Sequence, residues 1–343
     1  MKMDKLTEQE LKNSADILKR VREELNQVLY GQEALIDQVV ICLLARGHLL
    51  LEGLPGLGKT ELVRALSIVL GLESKRVQFT PDLLPGDITG NPMLQDVEGE
   101  RKFVFQPGPL FSQLVLADEI NRASPKTQSA LLEAMQEHRV TSMGERHALP
   151  EPFFVVATQN PIELEGTYPL PEAQLDRFLF KLNIDAGGPE ILQRIVENRQ
   201  LGEEAKGEEV LKPVALQDLM QLVKKIYLPE VVSNYIARLI HASHKGQSEI
   251  STAVKYGASP RAAIGLAAAG RARALMTGRE NVSYEDIKAV AVPVLQHRLV
   301  LEYHAKLEGL NGTTVATALV DEVPVHADKL PPVLKESIKN SQE

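Results

Sequence analysis

An apolar run followed at once by a glycine-rich loop and a helical pattern constrains the fold of this chain more than any other feature. Residues 48–52 suit a buried parallel strand, residues 53–60 spell G-x-x-x-x-G-K-T, and residues 61–70 have helical spacing. The glycines let successive backbone N–H groups surround phosphate oxygens, and the following helix adds its positive end. Lys59 supplies a positive charge to the same phosphates, and Thr60 offers a hydroxyl to Mg²⁺. The segment therefore predicts a nucleotide phosphate site.

Strand and helix patterns alternate along the first half of the chain. A capping box at residues 7–10 opens a first helix, and a second helical run spans residues 32–46. Further buried strands are expected at residues 114–117, 153–157 and 178–182, and Ser124-Pro125 opens a helix over residues 126–137. Such alternation predicts an α/β fold, an αβα core with a mainly parallel sheet that helices cover on both faces.

Strand patterns fade after about residue 187, and helical patterns take over. They recur at residues 191–200, 216–226, 229–244, 260–276 and 284–290. The sequence therefore predicts a nucleotide-binding domain over residues 1–187, an all-α domain over residues 188–310, and a less periodic C-terminal extension over residues 311–343.

Composition limits which partners the chain can have. Lys plus Arg number 38 and Asp plus Glu 46, so the net charge of −8 has the wrong sign for a surface that binds nucleic-acid backbone, although a local basic patch stays open. The single cysteine, Cys42, cannot form an internal disulfide, which favours a reducing compartment. The N-terminal residues lack a signal-peptide core, and the apolar run at 39–51 is too short for a bilayer. We expect a soluble, cytoplasmic protein with no transmembrane segment and no stable nucleic-acid binding.

Two adjacent carboxylates follow the strand pattern at 114–117. Ligands collect at the carboxyl ends of parallel strands. Asp118 is therefore expected to hold Mg²⁺ through water, and Glu119 to orient or deprotonate an attacking water molecule. Alone, a strand that ends in Asp-Glu is better explained as a solvated turn. Together with the phosphate loop, the pair makes nucleotide hydrolysis the leading interpretation.

Two more polar side chains lie next to strand patterns, and each has two possible roles. Asn160 follows the strand at 153–157, where it would hydrogen-bond a γ-phosphate or the attacking water, or else cap an Asn-Pro turn. Arg177 precedes the strand at 178–182. It either forms a surface ion pair with Asp176 or reaches a phosphate across a subunit boundary, and the second reading requires an oligomer.

Four segments share their amino-acid sequence, order and spacing with one known family. They are the loop at 53–60, Asp-Glu-Ile-Asn-Arg-Ala at 118–123, Ala-Thr-Gln-Asn-Pro at 157–161, and Tyr-Pro-Leu-Pro-Glu-Ala-Gln-Leu-Asp-Arg-Phe at 168–178. Together they resemble the MoxR family of AAA+ ATPases, over roughly residues 28–304. The resemblance implies an AAA+ P-loop αβα core followed by a helical lid domain.

The resemblance also implies a role for each matching residue. Lys59 and Thr60 would form the Walker A motif, Asp118 and Glu119 the Walker B motif, and Asn160 sensor 1. The arginine finger would be Arg177. Residues in contact with the nucleotide would be Tyr30, Gly31, Gly53, Pro55, Gly56, Leu57, Gly58, Lys59, Thr60 and Glu61.

Arg261, within Ser259-Pro260-Arg261, matches the sensor 2 position at the start of a lid helix. A helix N-terminus is an unfavourable place for a cation, which supports a role facing the nucleotide. Whether Arg261 would act on its own subunit's nucleotide or on a neighbour's is left open.

Two insertions fit the family as well. Residues 87–109, with a strand at 103–105, would interrupt the helix after the phosphate-loop unit, and residues 139–150 would form a hairpin before the Asn160 strand. Such hairpins would face the pore or axial side of a ring and touch clients. The alternative is an ordinary surface hairpin, and the tips are not basic enough to indicate DNA.

The function implied by the resemblance is Mg²⁺-dependent ATP hydrolysis in a homo-oligomeric, hexameric ring that remodels, assembles or matures protein complexes. ATP and Mg²⁺ would be its cofactors, and a von Willebrand factor A domain protein would join it to a protein client. Two alternatives stay open: a motor stimulated by nucleic acid, and the motor subunit of a metal chelatase.

Overall fold

The computed structural model describes residues 6–54, 56–97, 100–160, 166–184, 187–198 and 207–326. In chain order, the strands are β1 (Leu49–Glu52), β2 (Ser74–Gln78), β3 (Gly90–Val97), β4 (Glu100–Pro107), β5 (Leu114–Asp118), β6 (Arg139–Ser142), β7 (Glu145–Ala148), β8 (Phe154–Gln159), β9 (Phe180–Asn183), β10 (Val254–Tyr256) and β11 (Val300–Leu301). Five of them form a central sheet in the order β2-β5-β8-β1-β9, and every pairing in that sheet is parallel.

Helices precede and follow these strands along the whole chain. They are α1 (Glu8–Val28), α2 (Glu33–Leu44), α3 (Lys59–Val69), α4 (Pro85–Thr89), α5 (Pro125–Glu137), α6 (Glu172–Leu175), α7 (Pro189–Asn198), α8 (Pro213–Lys225), α9 (Glu230–Ala242), α10 (Pro260–Met276), α11 (Tyr284–Leu295), α12 (Tyr303–Leu307) and α13 (Gly312–Glu322). Within the described residues, none of these helices has the length and apolar character needed to cross a membrane.

Alternate residues of the central strands enter two different hydrophobic cores. Leu49 and Leu51 of β1 point to a core shared with α1, α2, α3 and the C-terminal helices, whereas Leu50 points to a core shared with α5. Burial on both faces explains why the strand sequences are almost continuously apolar. The predicted αβα core with a parallel sheet is confirmed.

The edge strand β2 is the one central strand that the sequence does not predict. Its sequence is Ser-Lys-Arg-Val-Gln, and Val77 alone among its residues is buried. Because an edge strand here needs only one inward apolar residue, β2 has no apolar run that a pattern could reveal.

The C-terminal region is helical, as predicted, and carries in addition a short antiparallel ribbon of β10 and β11. Its helices α8 to α11 share one hydrophobic core with α1 and α2. Because a single core joins the two regions, the domain boundary at residue 187 stays a prediction.

The predicted C-terminal extension begins too early. Asn311 caps α13, and Val315, Ala316 and Leu319 of that helix are fully buried. The helix packs against α11, so the packed helices continue to Glu322, past the predicted boundary at residue 310. The rest of the predicted extension, residues 327–343, lies outside the described part of the chain.

Both predicted insertions are antiparallel hairpins. Strands β6 and β7 meet at Met143 and Gly144, which both have positive φ angles, as a tight hairpin turn requires. Strands β3 and β4 form the other hairpin and leave Met93, Leu94 and Phe103 exposed. The prediction that this insertion interrupts a helix is wrong. The helix before it, α4, has only five residues, and β4 leads to β5 through a turn.

A buried histidine directly before β1 connects β8 to α5. The Nδ1 atom of His48 accepts a hydrogen bond from the Val155 N–H at 3.1 Å, and Nε2 lies 3.1 Å from the Met135 carbonyl oxygen. These partners require a neutral ring with its proton on Nε2. Burial lowers the pKa of His48 to about 4, against the opposing effect of the bond to Met135.

We expect His48 to make the protein less stable in mild acid. Its pKa is lower in the folded state than the ordinary 6.5, so the unfolded state binds more protons between pH 6.5 and pH 4. The free energy of unfolding contributed by neutral His48 is therefore complete above pH 6.5 and falls by about 2 kcal/mol between pH 7 and pH 5. The difference in this loss between the wild type and a His48 variant, measured by urea denaturation at both pH values, isolates the contribution of His48, because buried His297 also has a lowered pKa.

The matched variants for that measurement are His48→Gln and, at the surface, His304→Gln. The first should show a smaller difference between pH 7 and pH 5 than the wild type, since it lacks the titrating ring. The second should keep the wild-type difference. Equal pH dependence in all three proteins would contradict the assignment to His48.

Candidate active site

The phosphate loop joins β1 to α3, as the sequence predicts. Gly56 and Gly58 have φ angles of 85° and 86°, in the left-handed region that suits glycine, and Gly58 is the N-cap of α3. A Cβ on Gly53 would lie 3.1 Å from the Ile184 carbonyl oxygen, so a side chain would be crowded there. Pro55 lies outside the described residues. The glycines thus bring the backbone to the N-terminal, positive end of α3.

Lys59 begins α3, and its side chain turns back across the loop. Its Nζ atom donates to the carbonyl oxygens of Gly53 and, at 3.5 Å, of Gln159 at the end of β8. Burial lowers the pKa of Lys59, whereas the charges of Asp118 and Glu119 act in the opposite direction. The ammonium group therefore lies where the carboxyl ends of β1, β5 and β8 meet, close to both predicted carboxylates.

Asp118 ends β5 and is held by the strands on either side. The Thr158 hydroxyl of β8 donates to its Oδ1 at 2.6 Å, and Arg76 of β2 donates to its Oδ2 at 2.7 and 3.1 Å. The carboxylate is therefore fixed at the sheet edge rather than free in a solvated turn.

The oxygen donors at this edge fit a magnesium ion. Asp118 contributes a carboxylate and Thr60 a hydroxyl, and both are hard ligands. Across the described ranges, no group of three or more His, Cys, Asp or Glu side chains is placed to hold a metal. A cation here would take its remaining ligands from water and phosphate, which is the usual situation for Mg²⁺.

Glu119 adopts a backbone conformation that is uncommon for a residue with a side chain. Its φ of 56° lies in the left-handed region, at a cost of about 1–3 kcal/mol. The Thr158 hydroxyl accepts its N–H at 2.8 Å, and its Oε2 accepts from Gln78 at 2.7 Å and Arg122 at 2.9 Å. These contacts hold the strained residue, so its carboxylate is fixed beside Asp118.

Asn160 is buried directly after β8, next to the phosphate loop. The neighbouring Gln159 carbonyl accepts from Gly53 N–H at 3.4 Å as well as from Lys59. The structure therefore brings Asn160 to the same edge as the loop and the two carboxylates. Pro161, the next residue of its motif, is outside the described residues.

Tyr30 and Gly31, which the resemblance places at the nucleotide, pack against α7. Gly31 has a φ of 67°, and Ile191 of α7 fills the space where a Cβ would stand. The Arg194 guanidinium lies over the Tyr30 ring at 5.2 Å. Leu57 packs against the first core, and Glu61 lies in the first turn of α3.

The proposed ion pair between Arg177 and Asp176 is wrong. Arg177 Nη1 donates to the Leu132 carbonyl at 2.9 Å, on the side of α5, whereas Asp176 is bound by lid residues. Arg177 borders a polar cavity of about 480 Å³ between α5 and the β6–β7 hairpin. Among the described residues it makes no hydrogen bond to its own phosphate loop. It is therefore not part of the cluster formed by Lys59, Asp118 and Glu119.

Arg261 starts α10, as predicted, and its guanidinium is half exposed. Its Nη1 atom lies 3.2 Å from Asp176 Oδ2. In this structure Arg261 is therefore bound to the segment that precedes Arg177, and no described hydrogen bond joins it to the phosphate loop.

Sequence reasoning missed the residues that orient the carboxylates. Thr158 serves both Asp118 and Glu119, and Arg76 and Gln78 of the unpredicted strand β2 each bind one of them. A buried threonine at the end of the Asn160 strand was the available signal for Thr158. No signal was available for β2, because its pairing with β5 depends on the strand order.

Comparisons with known proteins agree with the fold. A family model described as "ATPase family associated with various cellular activities (AAA)" matches residues 48–180, and one for the AAA lid domain matches residues 246–322. The chain is 39% identical to Chaperone MoxR1 of Mycobacterium tuberculosis over 93% of its own length and 87% of the relative's. It is 32% identical to Protein MoxR of Paracoccus denitrificans, over 88% and 94%.

A solved structure has the same fold as this chain. A protein from Cytophaga hutchinsonii, described as a candidate ATPase, superposes with a TM-score of 0.83 at 37% identity. The superposition covers 92% of this chain and 96% of that one.

Proposed function

Since this chain belongs to the MoxR family of AAA+ ATPases, we propose that it hydrolyses ATP with Mg²⁺ in a homo-oligomeric, hexameric ring and uses that cycle to remodel protein complexes. The observation that carries the chemistry is the meeting of Lys59, Asp118 and Glu119 at one edge of the sheet. A phosphate-binding cation and two fixed carboxylates are what hydrolysis of a phosphoanhydride requires.

Each residue of the site has its own role in the proposed hydrolysis. Lys59 and the N-terminus of α3 bind the β- and γ-phosphates. Thr60 and Asp118 would hold Mg²⁺, which when bound neutralises phosphate charge. Glu119 orients the attacking water and accepts its proton, and Asn160 hydrogen-bonds the γ-phosphate or that water. Tyr30 and Gly31 border the base.

Arg177 supports the oligomeric part of the proposal. Arg76 and Arg122 already pair with the two carboxylates, so a triphosphate at the loop would be balanced by Lys59 and Mg²⁺ alone unless a further cation joins the site. Arg177 is directed to α5 and the β6–β7 hairpin instead of its own loop. We infer that it acts as an arginine finger on the next subunit's nucleotide, and Arg261 as sensor 2 on the same reaction.

The remodelling role is supported by a relative's name and by the β3–β4 hairpin. One relative is named as a chaperone. The exposed apolar residues Met93, Leu94 and Phe103 on the β3–β4 hairpin suit contact with a protein client. We propose that an adaptor with a von Willebrand factor A domain brings that client. The names of the relatives favour neither the nucleic-acid motor nor the chelatase subunit.

The dependence of ATP turnover on protein concentration tests this proposal. Turnover per subunit should rise steeply with concentration in the wild type, because each site is completed by a neighbour. Arg177→Ala should assemble normally but turn over about 10³-fold more slowly at every concentration. Arg139→Ala, at the same cavity, is the control and should keep the concentration dependence. Turnover per subunit that is constant down to monomeric protein would contradict a shared site.

A further inference from the structure

A buried arginine of the lid holds the segment that carries Arg177. Arg298 lies between α11 and β11, and its side chain is 3% exposed. Its Nε atom donates to Asp176 Oδ1 at 2.7 Å, and Nη1 donates to the carbonyl oxygens of Leu179, at 3.0 Å, and Val294. Burial lowers the pKa of the guanidinium, and the hydrogen bond and charge of Asp176 oppose that change.

The contacts of Arg298 enclose Arg177 on both sides. Its Nη2 atom donates to the Asp176 carbonyl at 3.2 Å and to the Phe178 carbonyl at 2.6 Å. The neighbouring His297 ring also bonds the Phe178 carbonyl, at 3.0 Å. One guanidinium thus binds the carbonyl oxygens of the residues directly before and after Arg177, while the Arg177 side chain itself extends to Leu132.

Asp176 connects the same segment to a second part of the lid. Its Oδ2 atom accepts from Ser259 and from Arg261, each at 3.2 Å, at the start of α10. The carboxylate is therefore shared by two lid arginines from different elements. A movement of either α10 or the end of α11 changes the position of the backbone that carries Arg177.

We propose that Arg298 and Asp176 are positioning residues that transmit the lid orientation of one subunit to the arginine finger it presents to the next. This inference rests on the proposed function, because it requires Arg177 to act in trans. Charge-assisted hydrogen bonds are directional and fix a geometry that apolar packing alone would leave adjustable. The position of the finger therefore depends on the lid of the subunit that carries it.

Mixing two inactive variants provides the test. Lys59→Ala cannot use its own site but presents an intact Arg177, whereas Arg177→Ala has an intact loop. In an equimolar mixture, about a quarter of the interfaces pair a working site with a working finger, whatever the ring size. The reference mixture should therefore recover about a quarter of wild-type turnover.

Arg298→Met is then placed in one partner at a time. On the finger donor, as Lys59→Ala/Arg298→Met mixed with Arg177→Ala, it should reduce the recovered turnover at least about tenfold, because a finger displaced by 1 Å is ineffective. On the hydrolysing partner, as Arg177→Ala/Arg298→Met mixed with Lys59→Ala, the reduction should be much smaller. A residue that only stabilises the fold would lower turnover equally in both arrangements.

A second lid ion pair supplies the matched control. Arg273 of α10 pairs with buried Asp286 at 2.5 Å, and Arg279 also binds that carboxylate. Lys59→Ala/Arg273→Met mixed with Arg177→Ala should recover turnover like the reference. If Arg298→Met does not fold, Asp176→Asn replaces it in both arrangements, since the amide keeps the size of the side chain and an acceptor oxygen.

Each outcome has one meaning. The proposal is supported if Arg298→Met lowers the recovered turnover only when it is placed in the finger donor. An equal loss in both arrangements, or no loss in either, overturns it while leaving the proposed function intact. A reference mixture that stays inactive shows that Arg177 does not act in trans, and both the inference and the oligomeric part of the proposed function then fail.

Discussion

Glu119→Gln is expected to bind ATP as tightly as the wild type and to hydrolyse it about 10²- to 10⁴-fold more slowly. The amide oxygen of glutamine can still accept from Gln78 and Arg122, so the strained backbone at this position keeps its support. The substitution removes the negative charge and the ability to accept a proton from water. Binding of a fluorescent ATP analogue and release of phosphate measure the two effects separately.

An exposed glutamate of the lid is the control for this variant. Glu308→Gln makes the same chemical change away from the sheet edge and should leave both ATP binding and turnover unaltered. If Glu119→Gln kept turnover within about threefold of the wild type, Glu119 would not be the general base. If it lost ATP binding instead, its role would lie in holding the site together.

Lys59→Ala is expected to weaken ATP binding by about 10- to 100-fold, which corresponds to the loss of one hydrogen bond between charged groups. The side chain bridges Gly53 and Gln159, so its removal leaves the loop attached to β8 there by the bond from Gly53 N–H to the Gln159 carbonyl. Turnover at saturating ATP should fall as well, because the lysine charge stabilises the transferring phosphoryl group. Titration with the fluorescent analogue gives the dissociation constant.

Lys75→Ala on the exposed side of β2 is the matched control for Lys59→Ala. It removes the same charge from a neighbouring surface and should leave the dissociation constant within about twofold of the wild type. Equal weakening by both substitutions would show that general positive charge, and not the position of Lys59, determines binding.

The sequence could predict the centre of the site because its signals are local. The loop at 53–60 and the pair Asp118 and Glu119 each follow an apolar run within a few residues, and parallel strands bring such ends to one edge. The partners of those residues were not predictable in the same way. Thr158 and Arg76 meet Asp118 only because β5 lies between β8 and β2, and that order is a property of the whole sheet.

The interaction of the lid with the Arg177 segment shows the same limit more strongly. Adjacent residues suggested an ion pair between Asp176 and Arg177, but neighbouring side chains on this turn point in different directions. Asp176 instead meets Arg298, which is more than a hundred positions away in the chain, inside a shared core. A periodicity argument identifies which face of a helix is buried, but it does not identify the distant polar group that a buried arginine satisfies.

The turnover of an equimolar mixture of Lys59→Ala and Arg177→Ala tests the shared active site most directly. Each variant alone should be nearly inactive, one for want of phosphate binding and the other for want of the finger. Their mixture should recover about a quarter of wild-type turnover after subunit exchange. A mixture no more active than the average of its two components would contradict an active site that two subunits complete together.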